Sequence, residues 1–505
     1  HQQANFDSGA IEGKLIDFDN EKYYKISNSD AMRPFFMSIV SDSNHWMFIS
    51  SNGGLTAGRQ NSESALFPYY TDDKLTEFAE ITGSKTIIQV KRQDRIMLWE
   101  PFSNRYQGVY KIHRNLYKNS IGNKVVFEEI NEDLKLTFRY QWNSSDRFGF
   151  VRKSTLINNS SDQVELTLVD GLQNILPYGV PSDLQNSRSN LVDAYKKSEL
   201  QEKTGIGIFA LSAIIVDRAE PSEALKATTV WSIGMEDATY LLSSLQLDEF
   251  RKGGEIEQEV DVKAEKGAYF VSSRLNLEPE TEKTWMLVAE VNQSMVDISE
   301  ISSLIKKKKD LAEIVQQDIE QGSANLFELN AAADGVQLSA DRLMNTRHFS
   351  NTLFNIMRGG IFDNGYQIEK WDFVKYIETH NKKVFKKKEE LLENLPEIFS
   401  LSHLRDLARS DEDKNFKRLA YEYMPLKFSR RHGDPSRPWN KFSINTTSEL
   451  DGSKILDYEG NWRDIFQNWE ALAHSYPEFI ESMIHKFLNA TTFDGYNPYR
   501  VTKDG

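Results

Sequence analysis

The residues best placed to do chemistry lie at the start of a predicted helix. Apolar residues recur at helical spacing after Gly460-Asn461: Trp462, Ile465, Phe466, Trp469 and Leu472. This pattern predicts an amphipathic helix from about Trp462, with Arg463 and Asp464 in its first turn. An acidic side chain is favoured there by partial positive charge and unpaired N–H groups. An ionised Asp464 could accept two hydrogen bonds from adjacent hydroxyl groups of a ligand.

The same carboxylate has a simpler explanation that involves no ligand. Asp464 could only stabilise the positive end of its helix, and the sequence does not separate the two roles. Arg463 has similar alternatives, since it could orient Asp464 or form a surface ion pair with Glu459 or Glu470.

A second group of candidate residues lies in the segment 429–440, which is rich in arginine and stiffened by glycine and proline. Guanidinium groups match the oxygens of phosphate two at a time, so Arg431, His432 and Arg437 are candidate phosphate ligands. Trp439 offers an apolar face for a pyranose ring. The alternative is a structural loop whose arginines pair with the abundant carboxylates.

Three further segments combine glycines with aromatic or polar residues. The pair Asn52–Arg59 and Phe67–Asp73 could approach a sugar closely, although hairpin turns explain it better. Residues 358–366 begin Arg-Gly-Gly, which indicates a helix C-cap or a loop near a ligand. Tyr140 and Trp142 are expected to belong to the core or to the surface of a sheet and not to form a sugar platform.

Composition narrows the classes of function. The net charge of −14 argues against a nucleic-acid partner, because phosphates need an excess of Lys and Arg. The chain has no cysteine, so disulfides, thiol chemistry and thiolate zinc sites are excluded, and its nine histidines form no HExxH pair. We therefore expect no metal site.

Hydropathy predicts neither a membrane anchor nor a secretion signal. The longest apolar run, 206–216, is about half a membrane span and predicts a buried strand. The first residues lack the basic and apolar regions of a signal peptide. We expect no membrane partner and a cytoplasmic location.

Most of the first 290 residues predict strands. Leu134, Leu136, Phe138, Tyr140 and Trp142 alternate with polar residues, and similar runs surround Leu166 and Val288. Many strands with polar turns and little helix between them indicate an antiparallel β-sandwich. The period changes near Asp297, where a capping box Asp297-x-x-Glu300 predicts a helix that Gly322 closes.

The remainder predicts helices that must position the chemical residues. An apolar helix stops at Gly359-Gly360, and two more are expected over 371–385 and 388–395. After a long irregular stretch, helices 462–473 and 479–488 form a hairpin, with a capping box at Ser475 to Glu478 and an early proline.

The Trp-Arg-Asp-x-x-Gln pattern at 462–467 resembles an element of the cellobiose-phosphorylase-like inverting glycoside phosphorylases, above all the larger members acting on β-linked gluco-oligosaccharides. In that family the matching aspartate holds sugar hydroxyls, which makes Asp464, with Arg463, Trp462 and Gln467, a candidate substrate contact. The family also has an arginine about six residues earlier, where this chain has Asp457 and Tyr458.

The resemblance also implies a multidomain α+β architecture. It consists of an antiparallel β-sandwich over 1–295, a helical linker over 296–345, and the beginning of an (α/α)6 toroid over 346–505. Twelve helices of average length need roughly 140 residues before any loop is counted, which nearly fills residues 346–505. Only five or six helices are predicted there, so we expect this chain to be the N-terminal part of a longer protein.

The activity implied by the resemblance is inverting phosphorolysis of β-1,3- or β-1,4-linked gluco-oligosaccharides to α-glucose 1-phosphate. Inorganic phosphate would be the co-substrate, no cofactor is expected, and the family suggests a homodimer. Inversion needs one carboxylic acid, but no residue here matches the family's acid, so no catalytic residue is assigned. The alternatives are a carbohydrate-binding or structural protein without catalysis and an inverting glycoside hydrolase.

Overall fold

The computed structural model describes residues 9–93, 95–187, 189–215, 224–307, 309–430, 435–437, 443–448 and 450–503. These residues divide into two compact units. The first runs to Leu326 and includes residues 435–437, and the second holds the described residues from Phe327 onward apart from 435–437. The protein is a mixed α+β chain with large antiparallel sheets and several helices.

The first unit is built mainly from strands. They are β1 Glu12–Phe18, β2 Glu21–Ser27, β3 Phe36–Ile39, β4 His45–Ser50, β5 Leu55–Arg59, β6 Ala65–Phe67, β7 Gly83–Arg92, β8 Arg95–Trp99, β9 Ile112–Asn119, β10 Val125–Asn131, β11 Leu136–Ser145, β12 Gly149–Asn158, β13 Val164–Ile175, β14 Lys196–Gln201, β15 Ile206–Leu211, β16 Ala227–Ile233, β17 Thr239–Leu241, β18 Asp261–Lys263, β19 Gly267–Leu277 and β20 Glu282–Gln293. Helices are few before residue 294: α1 Asp72–Glu77, α2 Ser182–Ser187, α3 Ser189–Asp193 and α4 Leu247–Arg251.

These strands form three antiparallel sheets. The largest has the order β1-β2-β9-β10-β11-β12-β20-β16-β15-β14-β18, the second β17-β19-β13-β7-β8 and the third β3-β4-β5-β6. One hydrophobic core joins side chains of all three, including Phe138 and Trp285 of the largest, Leu168 of the second and Phe67 of the third. The three antiparallel sheets of this unit therefore share one core.

Strand β11 shows why this part of the chain folds as predicted. Its register with β10 and β12 turns Phe138, Tyr140 and Trp142 to the same face, and all three are 0–2% exposed. Of the two positions expected for Tyr140 and Trp142, the core and the surface of a sheet, the structure shows the core. The predicted strand over 206–216 is shorter than expected, because β15 ends at Leu211.

A buried ion pair joins two sheets at the centre of this unit. Arg152 of β12 donates two hydrogen bonds to Asp170 of β13, at 3.0 and 2.8 Å, and neither side chain is exposed. Asp170 also accepts hydrogen bonds from Trp285 and Thr86, each at 2.6 Å. Because every close partner of the carboxylate is a donor, the charge of Asp170 is satisfied on all sides.

Two helices follow the strands, α5 Met295–Lys307 and α6 Leu311–Ala331. The capping box predicted at Asp297 and Glu300 lies instead between Ser294 and Asp297, which bond each other's backbone N–H groups, so α5 begins three residues early. Gly322 does not close a helix, which corrects that prediction. The helix continues because Ser323 and Leu326 beyond it are buried.

The second unit is mainly helical. Its helices are α7 Arg342–Gly359, α8 Lys370–His380, α9 Lys382–Lys387, α10 Glu389–Glu393, α11 Leu401–Ser410, α12 Lys414–Glu422, α13 Trp462–Ser475 and α14 Ile480–Asn489. Short strands pair as β21 Ile361–Phe362 with β24 Leu426–Lys427, β22 Gln367–Glu369 with β23 Ile398–Ser400, and β25 Glu459–Asn461 with β26 Arg500–Thr502.

Several predicted helix limits in this unit change. The helix expected over 371–385 is split at Asn381, whose side chain caps α9. The stretch expected to be irregular contains α11 and α12, which the sequence interpretation missed. The start of α13 at Trp462 is confirmed. The capping box predicted before α14 is wrong. The Ser475 hydroxyl donates to Asp334 at 2.6 Å, and a 3-10 turn, Pro477–Phe479, with Tyr476 as its N-cap, precedes α14.

Among the described residues, none of the helices is long and apolar enough to span a bilayer.

We predict that Asp170→Asn destabilises the first unit by about 3–5 kcal/mol, because it leaves the Arg152 charge buried without a counter-ion. The asparagine amide would also face existing donors. Urea denaturation measures the change.

Glu165→Gln, on the same strand, is the matched control. Glu165 and Lys91 form an ion pair at 3.1 Å in which both side chains are 57% exposed. Its loss is expected to cost less than about 1 kcal/mol. Equal urea midpoints for the two variants would contradict the importance of the buried pair.

Candidate active site

The first turn of α13 is held in place by the ribbon of β25 and β26. The Trp462 amide donates to the Tyr499 carbonyl at 3.2 Å, just before β26. Glu459 of β25 forms an ion pair with Arg500 of β26. The ribbon therefore fixes the direction in which the chain begins the helix.

The two charged residues of this turn reach solvent. The Asp464 side chain is 34% exposed and that of Arg463 is 65% exposed. Arg463 Nε lies 3.6 Å from Asp464 Oδ1, so the arginine approaches Asp464, one of the three partners considered for it. The Asn461 side chain makes no capping hydrogen bond, which leaves the first-turn N–H groups to other partners.

Trp462 lies mostly within the protein. It is 6% exposed, and its ring contacts those of Phe466, Trp469 and Phe487 at centroid distances of 5.1–5.7 Å. These contacts anchor the first turn of α13 to α14. Little of this ring is available to a sugar.

Helix α13 crosses the end of α7 at very short distance. The buried Asn468 amide donates to the Gly360 carbonyl at 2.7 Å, and Trp469 Nε1 donates to the Gly359 carbonyl at 3.4 Å. A Cβ at Gly359 would lie 2.7 Å from Asn468 Nδ2. The Gly359-Gly360 pair thus ends α7 and also leaves the space in which α13 packs against it.

This crossing brings together two segments that the sequence considered separately. Arg358, exposed in the last turn of α7, donates to Gln467 Oε1 at 2.6 Å. Arg358, Arg463, Asp464 and Gln467 all reach the surface of the second unit within two adjoining helix ends. Such a set supplies one charged acceptor, one amide and two guanidinium donors, which suits hydroxyl or oxyanion ligands.

The arginine-rich segment is described only in part. Arg431, His432 and Trp439 lie outside the described residues. Arg437 is exposed, and the Pro435 carbonyl accepts a hydrogen bond from the Asp72 amide at 3.1 Å. At the other end of the segment, the Ser429 hydroxyl accepts from the Glu459 amide of β25 at 3.2 Å.

The glycine-rich segment of the first unit forms the tight hairpin between β4 and β5. The Gly53 amide donates to Ser50 O at 2.9 Å. The Arg59 guanidinium donates two hydrogen bonds to the Glu290 carboxylate, at 3.0 and 2.6 Å. Asn52 and Gly53 also line a cavity of about 130 Å³ with Lys85 and other residues. The hairpin has a clear structural function.

The sequence interpretation did not include Arg358 among the candidate site residues. It recognised the glycine pair after this residue, but Gln467 follows 109 positions later. A local pattern carries no signal for a contact of that separation. Within the described chain, no cluster of three or more His, Asp or Glu side chains could hold a metal ion.

Comparison with protein families gives one match. Residues 362–425 match the model of glycoside hydrolase family 149 insertion domain 1. The matched segment holds α8 to α12 and lies between α7 and the segment that leads to α13. It relates this part of the chain to carbohydrate-active enzymes and does not single out the cellobiose-phosphorylase-like clan. A search of curated protein sequences gives no significant match.

Solved structures align only distantly. A bacterial glucoamylase in complex with acarbose aligns at 7% identity and a TM-score of 0.36, over 77% of this chain and 57% of its own. A proposed kojibiose phosphorylase from the human microbiome aligns at 9% identity and a TM-score of 0.36, over 92% and 57%. This chain thus spans 57% of the length of each of these proteins.

We predict that Gly359→Ala destabilises the second unit by about 1–3 kcal/mol, because the new methyl group would overlap a buried and hydrogen-bonded Asn468. This cost exceeds the gain of about 1 kcal/mol expected from helix propensity. Thermal and urea unfolding report the difference.

Gly322→Ala in α6 is the control. There the added Cβ would meet Asp42 Oδ1 at 2.9 Å, at the end of a side chain that can move aside. We expect unchanged or slightly raised stability for this variant. A stabilised Gly359→Ala protein would show that the crossing of α7 and α13 has room to spare.

Proposed function

We propose that the chain is part of an inverting glycoside phosphorylase that acts on β-1,3- or β-1,4-linked gluco-oligosaccharides and forms α-glucose 1-phosphate. The observation that carries the proposal is the match of residues 362–425 to a glycoside hydrolase family 149 domain. The Trp-Arg-Asp-x-x-Gln pattern of α13, which resembles an element of glycoside phosphorylases, adds the reaction type. Together they favour a carbohydrate-active enzyme over a structural protein.

In this proposal the Asp464 carboxylate accepts hydrogen bonds from hydroxyls of the sugar next to the cleaved bond. Its first-turn position and 34% exposure support that role. Gln467 and Arg358 position each other beside it, while Arg463 lies close enough to orient the carboxylate. Trp462 would act through packing. Trp439 remains a proposed sugar contact.

Phosphate is the proposed nucleophile, and it attacks the anomeric carbon on the face opposite the leaving oxygen. Arg431, His432 and Arg437 are its proposed ligands, because guanidinium groups pair with phosphate oxygens. The carboxylic acid that protonates the leaving oxygen is proposed to lie in a part of the protein outside this chain. The second unit would then be the start of an (α/α)6 toroid, in a cytoplasmic homodimer that needs no cofactor.

An inverting hydrolase is the competing function, since the matched domain belongs to a family named for hydrolysis. The complete protein should release sugar 1-phosphate from laminari- or cello-oligosaccharides only when inorganic phosphate is present. Equal cleavage without phosphate would assign hydrolysis instead.

Asp464→Asn should lower kcat/KM of the complete protein about 10- to 100-fold, because a hydrogen bond to a charged group is worth about 1.5–3 kcal/mol. Thermal stability should change little. If Asp464 only stabilises its helix, the result is the reverse: about 0.3–1 kcal/mol of lost stability with nearly intact turnover.

Glu470→Gln, an exposed carboxylate on the same helix, is the control. It removes an equal charge two turns away from the proposed sugar contact, so both measurements should match those of the unsubstituted protein. An identical loss of kcat/KM in both variants would point to a general effect of charge.

Arg437→Lys tests the proposed phosphate contact, because lysine keeps the charge and loses the two-pronged donor. We expect the KM for phosphate to rise about tenfold or more while the KM for oligosaccharide stays constant. Arg463→Lys, beside the proposed sugar contact, should instead raise the KM for oligosaccharide and leave the KM for phosphate constant. An unchanged phosphate KM in Arg437→Lys would remove that residue from the proposed site.

A further inference from the structure

We propose that a cavity in the second unit, lined by α8, Asn445, Ser448 and residues 453–457, binds a short neutral β-linked gluco-oligosaccharide. The choice of saccharide rests on the proposed function. The site itself is defined by its own geometry and contains none of the residues proposed above for substrate or phosphate.

The cavity encloses about 360 Å³, which is within the range of small-molecule sites. Helix α8 and the Lys503 side chain form part of its lining, and Asn445, Ser448 and residues 453–457 form the rest. Helix α8 belongs to the segment that matches the family 149 insertion domain. The matched segment thus contributes to a cavity with ligand-sized volume.

Trp371 gives this cavity an aromatic surface. Its side chain is 43% exposed, and no other tryptophan described by the structure is exposed to a comparable degree. The indole N–H donates to Glu369, which also pairs with Lys454. The ring is therefore held in one orientation while part of it stays exposed, and an aromatic ring can pack against a pyranose.

Polar groups around the ring suit hydroxyl recognition. Asn445 Nδ2 donates to Asp457 Oδ2 at 3.2 Å, and both side chains are only partly buried. Lys375 lies one helical turn after Trp371 and is exposed. Carboxylate, amide and ammonium groups beside one aromatic ring supply both acceptors and donors for sugar hydroxyls.

The floor of the cavity is a buried and neutralised ion pair. Lys503 Nζ lies 2.5 Å from Asp372 Oδ1 and donates to Leu456 O at 2.6 Å. Asp372 also accepts from the Tyr423 hydroxyl at 2.6 Å. Burial, with Asp372 nearby, raises the pKa of Tyr423 well above its ordinary value, so the phenol remains a donor. These contacts make the floor rigid.

The charge balance favours a neutral ligand over phosphate. Three lysines line the cavity, but Lys503 is paired with Asp372, and Lys454 is paired with Asp363 at 2.6 Å and with Glu369. Burial opposes ionisation of Asp363, yet hydrogen bonds from Lys427 and Lys454 hold its pKa below the ordinary value. Of the three, only Lys375 has no carboxylate partner within the described chain. One unpaired ammonium group is too little positive charge to balance a phosphate dianion.

Calorimetric titration of the 505-residue chain with laminaritriose and with cellotriose tests the site. We expect saturable binding of at least one of them. Trp371→Ala should weaken it about tenfold or more, since stacking and burial of a ring contribute upwards of 1.4 kcal/mol. Asp457→Asn should also weaken binding. Both substituted side chains are partly exposed, so folding should persist, and circular dichroism checks this.

Phe493→Ala is the matched control, because Phe493 is a fully exposed aromatic residue of the same unit and does not line the cavity. Binding that is equally weakened by Phe493→Ala, or unaffected by both cavity variants, would overturn the site. Binding of inorganic phosphate or glucose 1-phosphate without any neutral saccharide would overturn the ligand class.

The binding experiment requires no turnover and so separates the two proposals. Binding that depends on Trp371, with cleavage that is absent or independent of phosphate, would refute the phosphorylase and leave the site. Phosphorolysis that depends on Asp464, with no saccharide binding to this chain, would refute the site and leave the phosphorylase.

Discussion

The close crossing of α13 over the end of α7 is the constraint on which the candidate active site depends. Asn468 and Trp469 donate to the carbonyls of Gly360 and Gly359. The two helices can come this close because Gly359 has no side chain. Backbone carbonyls at a helix end would otherwise need water or a cap. One contact therefore satisfies a helix terminus and orients the turn that carries Asp464.

The periodicity of apolar residues identified the elements that bury one continuous row of apolar side chains. Strand β11 and helix α13 both present aromatic residues at the spacing of their own structure, so their type and position were predictable. Helices α11 and α12 were missed because each has 10 residues or fewer and they flank the acidic stretch 411–413. Their buried faces also include the polar Arg405 and Glu422. Short helices of this kind are stabilised by tertiary packing more than by their own propensity.

The candidate sites were predictable only where the chemistry is local. Arg463, Asp464 and Gln467 share one helix, so their common location followed from spacing. Arg358 joins them through a contact over 109 positions, and the cavity beside Trp371 is formed by side chains from three separate segments. Such groupings arise from the path of the whole chain, which a pattern of neighbouring residues does not encode.

The strand order of the largest sheet has a consequence for how the protein is made. Strand β20 lies between β12 and β16, although it follows both in the sequence. As the chain leaves the ribosome, the edges of β12 and β16 that face β20 therefore stay unpaired until residues 282–293 have been synthesised. Open edges of this length attract other strands. The strands made before β20 must therefore be kept from aggregating until β20 emerges and joins them.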